Sequence, residues 1–294
     1  MPLPVPIRRD LEDALTAAGF GNALINSVSA VHGGSINSAY RIDTSAGSFF
    51  AKVNQADSLP GLFEKEARGL EFLSRNSSLT VPRVIGTGLT GENAWLLTEF
   101  LRSSPEKPGF ATEFGRKLAE MHRVTGPFFG LEEDNYIGSL PQTNTRTDSW
   151  PDFFAEMRIS PQLKRARDSG LISPADVRAF DALKKKLSDF FPQENPSPLH
   201  GDLWSGNFIT DSAGKPAVFD PAVYFGHRYM DLGMTKLFGG FPAGFYNAYF
   251  DAYPAEPNAE EGTEVANIYP LLVHVNLFGG GYVQQVRSAL RKYA

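Results

Sequence analysis

The segment HGDLWSGN at 200–207 places a histidine, an aspartate, a tryptophan and an asparagine within eight positions. Asp202 and Asn207 stand five positions apart in a stretch that has little to bury. This is the H-x-D-x-x-x-x-N spacing of kinase-like phosphoryl transfer, in which the aspartate accepts the proton of the attacking hydroxyl and the asparagine holds Mg²⁺. The alternative is an Asx-rich turn in which both side chains only cap backbone groups.

A predicted β-hairpin follows and supplies a second carboxylate. FIT at 208–210 and AVF at 217–219 are strand candidates, and DSAGKP between them has the composition of a turn. Because paired strands lie ~5 Å apart, Asn207 before the first strand and Asp220 after the second are expected side by side. Hard oxygen ligands suit Mg²⁺, which completes its shell with phosphate and water. We therefore expect Asp202 to be a general base and Asn207 and Asp220 to be metal ligands.

The N-terminal third provides an independent check on this chemistry. Lys52 lies on the third of five predicted strands, and Glu66 falls within the apolar stripe of the helix predicted at 62–76. A carboxylate on a buried face is costly unless it is paired, so Lys52 is its expected partner and would orient nucleotide phosphates. The alternative is a solvated Glu66 at the edge of the stripe. The predicted strands span 27–32, 39–44, 48–53, 83–88 and 93–101.

The connection between the first two strands is a candidate phosphate-binding loop. It reads HGGSINS at 32–38, and Gly33 and Gly34, with Ser35, would let backbone N–H groups approach an anion. Glycine-containing hairpin turns are common, however, and the segment is neither a GxGxxG nor a Walker A motif.

The last predicted strand leads into a polar segment with two prolines, LRSSPEKPG at 101–109. In a kinase-like fold this junction is the hinge, with Thr98 at the gate position. The Glu99 carbonyl and the Leu101 amide would then hold adenine. Any edge strand that leads to a linker has the same appearance, so these assignments depend on the fold.

Apolar residues recur at helical spacing after this linker, first in TEFGRKLAEMHRV at 112–124 and finally near 241–253 and 265–293. We predict an α+β chain with a protein-kinase-like, bilobal fold and a cleft between the lobes. Residues 1–101 would form a β-rich nucleotide-binding lobe with a five-stranded antiparallel sheet and one helix. Residues 102–294 would form a mainly helical lobe for catalysis and substrate binding.

Composition narrows the possible partners. The 294 residues carry a formal net charge of -5, which does not favour nucleic acid or an anionic membrane as a partner. The absence of cysteine excludes disulfides, thiolate catalysis and cysteine metal sites. The sequence starts without a secretory signal, and no run approaches the ~18 apolar residues of a membrane span. We interpret the chain as a soluble cytoplasmic protein whose oligomeric state is open.

Several segments closely resemble the fructosamine kinase (ketosamine kinase) family, in the aminoglycoside phosphotransferase and choline kinase-like branch of the protein-kinase-like fold. They are HGDLWSGN, FDPAVYFGHRYMDLGMTKLFGGF and YPLLVHVNLFGGGY. The resemblance runs from GGSIN near residue 33 to the C-terminus. The HGDxxxxN motif and Asp220 are shared by the superfamily, whereas Trp204, the GHR-x-x-DL run at 226–232, MTKLFGGF and LFGGG narrow the resemblance to this family.

The resemblance implies that ATP and Mg²⁺ support phosphorylation of the 3-hydroxyl of a ketosamine, an amine that carries a fructose- or ribulose-type adduct. Loss of the labile phosphate would free the amine and so promote deglycation. The partner would be a small ketosamine or a glycated amine or protein side chain. Motif matching makes Asp202 the base, Asn207 and Asp220 the metal ligands, and Lys52 and Glu66 the phosphate-orienting pair.

Other polar residues receive roles from the same resemblance. Trp204 would stack its indole on the sugar ring or pack beneath the catalytic loop. His227 and Arg228 would contact substrate or brace the cleft, and the sequence leaves this choice open. Asp231 would brace the catalytic loop through His200.

Two positions are expected to have no catalytic role. His122 in LAEMHR is expected to be a structural residue at a helix end. Ser35 stands where some family members carry a cysteine, so thiol-based control is not expected.

Two other functions remain open. One is a kinase of the same fold that acts on choline, homoserine or an aminoglycoside, and Trp204 is the feature that argues against it. The other is a pseudokinase that serves as a binding module. The presence of Lys52, Asp202, Asn207 and Asp220 disfavours that second alternative.

Overall fold

The computed structural model describes residues 3–31 and 37–294. The chain divides into two compact units, called here the N-terminal and the C-terminal unit. The N-terminal unit comprises Met1–Arg75, Leu79–Pro108 and Ile209–Asp220, and the C-terminal unit comprises Asn76–Ser78, Gly109–Phe208 and Pro221–Ala294.

Five strands of the N-terminal unit form one antiparallel sheet. They are β1 (Ile25–Val31), β2 (Ser38–Thr44), β3 (Gly47–Gln55), β4 (Val84–Thr90) and β5 (Asn93–Glu99). Their order is β1-β2-β3-β5-β4, and every neighbouring pair is antiparallel. The predicted five-stranded sheet is therefore confirmed, and each predicted strand agrees with an observed one to within a few residues.

Side-chain alternation along β3 places Lys52 on the face of the sheet opposite the apolar core. Phe49, Ala51 and Val53 belong to a buried apolar cluster with residues of helix α1 (Val5–Ala17). Successive side chains of a strand point to opposite faces, so Lys52 lies on the other face of the sheet. Helix α1 begins earlier than the predicted helix because proline is tolerated in a first turn.

Helix α2 (Leu62–Asn76) matches its prediction. Its buried stripe is spaced by three and four residues, which is the period of one helix face. The stripe consists of Phe63, Ala67, Leu70 and Leu73.

The C-terminal unit is mainly helical. The helix predicted over 265–293 is three α-helices, separated at Asn267 and at Gly279, whose φ of +80° ends a helix. None of the helices in the ranges described is both long and apolar enough to cross a bilayer. The α-helices are α3 (Phe110–His122), α4 (Trp150–Phe153), α5 (Ser160–Asp168), α6 (Pro174–Lys184), α7 (Leu187–Phe190), α8 (Tyr229–Leu237), α9 (Ala243–Ala252), α10 (Ala259–Ala266), α11 (Ile268–Phe278) and α12 (Val283–Tyr293), with a π-helix at Phe154–Ile159 and a 3₁₀ turn at Gly280–Tyr282.

Six short strands pair two by two. The pair formed by β9 and β10 is the predicted hairpin. The other four strands were not predicted, since three residues are too few to show an alternating pattern. The strands are β6 (Asn135–Ile137), β7 (Leu140–Gln142), β8 (Ser197–Leu199), β9 (Phe208–Thr210), β10 (Pro216–Val218) and β11 (Tyr224–Gly226), paired as β6–β7, β8–β11 and β9–β10.

The division between the units differs from the predicted one at residue 101. The N-terminal unit continues to Pro108 and includes 209–220 because the polar linker packs on the β9–β10 hairpin. The N–H of Ser104 donates to the Thr210 carbonyl at 2.9 Å, and its hydroxyl donates to the Asp211 carbonyl at 2.6 Å. Lys107 Nζ donates to the Ala213 carbonyl at 3.0 Å. These contacts attach the segment that ends in Asp220 to the unit that contains the five-stranded sheet.

Helices α3 and α9 approach closely because Gly115 has no side chain. A Cβ at this position would lie 2.1 Å from the Phe245 carbonyl oxygen. We expect Gly115→Ala to force the two helices apart and to lower the free energy of unfolding by ~1–3 kcal/mol, measured by urea denaturation. Gly244→Ala on α9 is the control, because its nearest neighbours would be 3.9 Å away. An unchanged stability in Gly115→Ala would contradict this account of the packing.

Candidate active site

The loop 200–207 begins directly after β8 and turns on a glycine. Gly201 has φ +81°, and a Cβ there would lie 2.0 Å from the carbonyl oxygen of Ala222. The N–H of Ala222 donates to the His200 carbonyl at 2.9 Å. The start of the loop therefore runs against the segment that follows Asp220 in the chain, and only glycine leaves room for this approach.

The buried Asp231 carboxylate holds the same loop. It accepts the N–H groups of His200 and Gly201, each at 2.8 Å, and lies 3.1 Å from Nε2 of His122. Burial alone would raise the pKa of Asp231, but these partners lower it below the ordinary value. Asp231 thus acts through the backbone of His200, while the His200 ring accepts the N–H of Asp202 at 3.2 Å.

His122 is the last residue of α3 and is fully enclosed. Its Nδ1 lies 2.8 Å from the hydroxyl of Tyr249 on α9. With Asp231 on its other nitrogen, the ring connects two helices to the loop and has the surroundings of a structural residue.

Asp202 and Asn207 are joined within the loop. Nδ2 of Asn207 donates to the Asp202 carbonyl at 2.8 Å and to its Oδ2 at 2.9 Å. The amide nitrogen thus donates within the loop, and the amide oxygen is the atom of Asn207 that can ligate a metal. Amide and carboxylate oxygens are hard ligands of the kind that suits Mg²⁺.

Trp204 lies half-buried between these two residues. Its ring meets the ring of Phe238 edge-on, with centroids 6.2 Å apart. Gly206 makes space for the indole, since a Cβ there would lie 2.3 Å from Cη2. The ring is thus fixed in orientation while part of it stays accessible.

In the N-terminal unit, Lys52 Nζ bridges two carboxylates. It lies 2.7 Å from Oε1 of Glu66 and 2.5 Å from Oδ1 of Asp220. Burial would lower the pKa of Lys52, but Asp220 and Glu66 outweigh it and the pKa is raised. Burial raises the pKa of Glu66, although Lys52 opposes the rise. The solvated alternative for Glu66 is therefore not what the structure contains.

Asp220 has an unusual backbone. Its φ is +55°, and among the residues that the structure describes it is the only non-glycine with a positive φ. Such strain concentrates at functional sites. Its side chain is 44% exposed, so one face remains open beside the buried ammonium.

The predicted hinge lies where β5 ends. Thr98 is buried, and its hydroxyl donates to the Glu99 carbonyl at 3.2 Å. The N–H of Glu99 donates to the Arg83 carbonyl at 2.9 Å, and Leu101 follows two residues later. The predicted phosphate-loop residues, Gly33, Gly34 and Ser35, lie outside the described residues.

His227 and Arg228 are both buried, each with an exposed fraction of 1%. Arg228 donates to the Glu194 carboxylate through Nη2 at 2.8 Å and Nε at 2.9 Å, and to the carbonyls of Tyr253 and Pro254. Burial, with Arg228 nearby, lowers the pKa of His227 to about 3. These surroundings favour the bracing alternative over contact with substrate. Glu194 escaped the sequence analysis because its partner is distant in the chain and no motif includes it.

Comparison with known proteins identifies relatives of the whole chain. A family model described as fructosamine kinase matches residues 10–294. The chain is 40% identical over 263 residues to a probable ketoamine kinase of Synechocystis sp., covering 89% of this chain and 88% of that protein. It is 39% identical over 274 residues to a protein-ribulosamine 3-kinase, chloroplastic, of Arabidopsis thaliana, covering 92% of this chain and 83% of that protein.

Solved structures show the same fold. A candidate fructosamine-3-kinase from Haemophilus somnus superposes with a TM-score of 0.88 at 29% identity, covering 96% of each chain. Aminoglycoside phosphotransferases superpose with TM-scores of 0.59 to 0.65 at 14 to 17% identity, which shows the kinase-like fold alone.

Replacing the Asp231 carboxylate should destabilise the folded protein. In Asp231→Asn, one half of the side chain becomes a donor that faces a donor, either the N–H of His200 or that of Gly201. We expect a loss of ~1–3 kcal/mol in the free energy of unfolding at pH 7, measured by urea denaturation. Asp251→Asn, at an exposed position of α9, is the matched control.

The same variant has a pH signature. Because folding lowers the pKa of Asp231, its stabilising contribution is present above the unfolded pKa of about 3.9 and is lost as the pH falls through the folded pKa. The stability difference between the wild type and Asp231→Asn should therefore persist from pH 7 to 5 and shrink only at more acidic pH. A stability difference that vanished already at pH 6 would contradict the stabilising role of the ionised Asp231.

Proposed function

The chain belongs to the fructosamine kinase family, and we propose that its catalytic loop transfers the γ-phosphoryl group of ATP to the 3-hydroxyl of a ketosamine. The observation that carries the proposal is the pairing of Asn207 with Asp202 inside a loop whose backbone is held by Asp231. The loop presents a fixed carboxylate and an amide at the spacing that phosphoryl transfer requires.

Asp202 would take the proton of the acceptor. The hydroxyl oxygen forms a bond to the γ-phosphorus, the bond from that phosphorus to the bridging oxygen breaks, and ADP leaves with the electron pair. The hydroxyl proton passes to the Asp202 carboxylate. Asn207 holds this carboxylate in place through Nδ2, so the base does not have to be reoriented when the acceptor binds.

Lys52 and Glu66 would act on the nucleotide. The pair holds the ammonium in a fixed, buried position, from which it can neutralise phosphate charge. Asn207 and Asp220 would each be a ligand of Mg²⁺, which would supply positive charge beside the phosphates. The glycine loop with Gly33, Gly34 and Ser35 would receive the phosphates.

The nucleotide base would bind at the end of β5. The Glu99 carbonyl and the Leu101 amide are the proposed contacts of adenine.

The acceptor would be recognised by its sugar. The half-buried indole of Trp204 can stack on the C–H face of a sugar ring or chain. A relative named protein-ribulosamine 3-kinase supports a ribulosamine as acceptor and position 3 as the site of transfer. A phosphate at that position is labile, and its loss would free the amine and reverse glycation.

A panel of acceptors tests the proposal. ADP formation should appear with ribulosyl-lysine and fructosyl-lysine and stay at the background rate with choline, homoserine and an aminoglycoside. Phosphorus NMR of the product should place the phosphate at position 3. Turnover of choline or an aminoglycoside with no turnover of any ketosamine would overturn the proposed substrate class.

The base assignment has its own test. Asp202→Asn should reduce kcat by ~10²–10⁴-fold, because an amide cannot take the proton, while the affinity for ATP changes little. Steady-state kinetics and calorimetry measure the two quantities. Asp189→Asn, at an exposed position of the same unit, controls for the substitution itself. Wild-type kcat in Asp202→Asn would remove this residue from the role of base.

A further inference from the structure

Four buried polar side chains of the C-terminal unit form a hydrogen-bonded chain that no role above explains. Their exposed fractions are 8% or less. Two come from the β6–β7 hairpin, one follows β7, and one comes from the π-helix. We call this chain the amide relay, and its members are Asn135, Gln142, Asn144 and Arg158.

Arg158 is a fully buried cation. Its Nη1 donates to the Thr143 carbonyl at 2.6 Å and its Nη2 donates to Oδ1 of Asn144 at 2.7 Å. The rings of Phe153 and Tyr224 flank the guanidinium at 4.6 and 3.9 Å. Within the part of the chain that the structure describes, no carboxylate pairs with it. Burying an unpaired charge is unfavourable for stability, so its presence calls for another explanation.

A guanidinium can only donate hydrogen bonds, and this sets the direction of the relay. Asn144 must turn Oδ1 toward Arg158, so its Nδ2 points the other way and donates to Oδ1 of Asn135 at 2.9 Å. Asn135 is thereby oriented with Nδ2 toward the main chain, where it donates to the Val223 carbonyl at 2.9 Å.

Tyr269 orients the second branch. Its hydroxyl donates to Oε1 of Gln142 at 2.7 Å, which turns Nε2 of Gln142 toward acceptors. That nitrogen donates to Oδ1 of Asn135 at 2.8 Å and to the Ala222 carbonyl at 3.1 Å. Both branches therefore end as donors to two consecutive carbonyls, those of Ala222 and Val223.

These carbonyls belong to the segment against which the catalytic loop is built. Ala222 donates to the His200 carbonyl, and its own carbonyl occupies the space that a side chain at Gly201 would need. Burial chiefly raises the pKa of Tyr269, Arg158 opposes the rise, and the nearby Asp202 carboxylate adds to it. Tyr269, the residue that orients the Gln142 branch, thus interacts electrostatically with the proposed base.

We infer that Arg158 is a positioning residue for phosphoryl transfer. It sets the direction of the branch that runs through Asn144 and Asn135, and the relay holds the backbone segment against which the loop of Asp202 is built. The inference rests on the proposed kinase activity. The π-helix contributes to this arrangement, because its widened turn directs the long side chain of Arg158 into the core. Single π-helical turns recur at functional sites.

Two substitutions of Arg158 distinguish a role in positioning the loop from a role in packing alone. Arg158→Met keeps the length of the side chain and removes its donors, whereas Arg158→Lys keeps a donor and the charge. We expect kcat to fall by ~10²-fold in Arg158→Met, because small displacements of reacting groups have effects of this size. Arg158→Lys should recover part of the loss. The KM for ATP should stay near the wild-type value, since Lys52 and Glu66 are untouched.

If Arg158 only filled space in the core, the two variants would show the opposite order of kcat. Methionine suits an aromatic environment better than a buried ammonium, so Arg158→Met would then be at least as active as Arg158→Lys. Arg287→Met is the matched control, because Arg287 joins α12 to Asp176 of α6 and takes no part in the relay. It should lower the melting temperature and leave kcat unchanged. Wild-type kcat in Arg158→Met, or equal losses in both Arg158 variants, would overturn the inference.

A second variant covers the case in which Arg158→Met does not fold. In Asn144→Asp, the new carboxylate forms a charge-assisted pair with Arg158 and keeps the cation in place. It offers no N–H to Oδ1 of Asn135, so a carboxylate oxygen faces that oxygen and the repulsion displaces the Asn135 amide from Val223. We expect a melting temperature at or above that of the wild type together with a reduced kcat. Wild-type kcat in this variant would overturn the inference.

Hydrogen exchange makes the inference independent of the substrate. Peptides that cover 199–203 and 221–226 should exchange faster in Arg158→Met and in Asn144→Asp and should be unchanged in Arg287→Met. If the wild type phosphorylated no ketosamine, the proposed function would fail while this readout still decided the role of the relay. Unchanged exchange in both relay variants would exclude the relay even in an active kinase.

Discussion

A single buried carboxylate determines where the loop 200–207 lies. The Asp231 carboxylate accepts two consecutive backbone N–H groups and also faces the imidazole of His122. A carboxylate with no access to water is stable only when such partners surround it, and hydrogen bonds to an ionised group are stronger than neutral ones. The hydrogen bonds that Asp231 accepts therefore hold α3, α8 and the loop after β8 in one arrangement. Asp202 is then carried by a backbone with little freedom.

The two units bury charge in different ways. In the N-terminal unit, one ammonium contacts two carboxylates, those of Glu66 and Asp220. In the C-terminal unit, the buried guanidinium of Arg158 donates to neutral oxygens of Thr143 and Asn144. The first arrangement pairs opposite charges, and the second gives direction to a network of neutral amides.

The two buried arginines of the C-terminal unit illustrate how partners decide roles. Arg228 has a bidentate carboxylate in Glu194 and two carbonyls, so its charge is compensated and its donors are used in holding chain segments together. Arg158 donates to neutral oxygens instead, and the hydrogen bonds that start at Asn144 continue to the Val223 carbonyl. A sequence motif predicts a role for Arg228 and none for Arg158, because only Arg228 lies in a recognisable run.

By itself, the sequence determined the elements whose signals are local. Alternating patterns predict the five-stranded sheet, helical spacing predicts α2, and together they predict the pairing of Lys52 with Glu66. Only the tertiary structure decided that Asp231 binds the loop through backbone N–H groups, that Arg228 pairs with Glu194, and that an amide relay exists. Each of these depends on groups far apart in the chain that meet through three-residue strands or single buried side chains. No local periodicity records such meetings, since the partner of a buried polar group is chosen by packing.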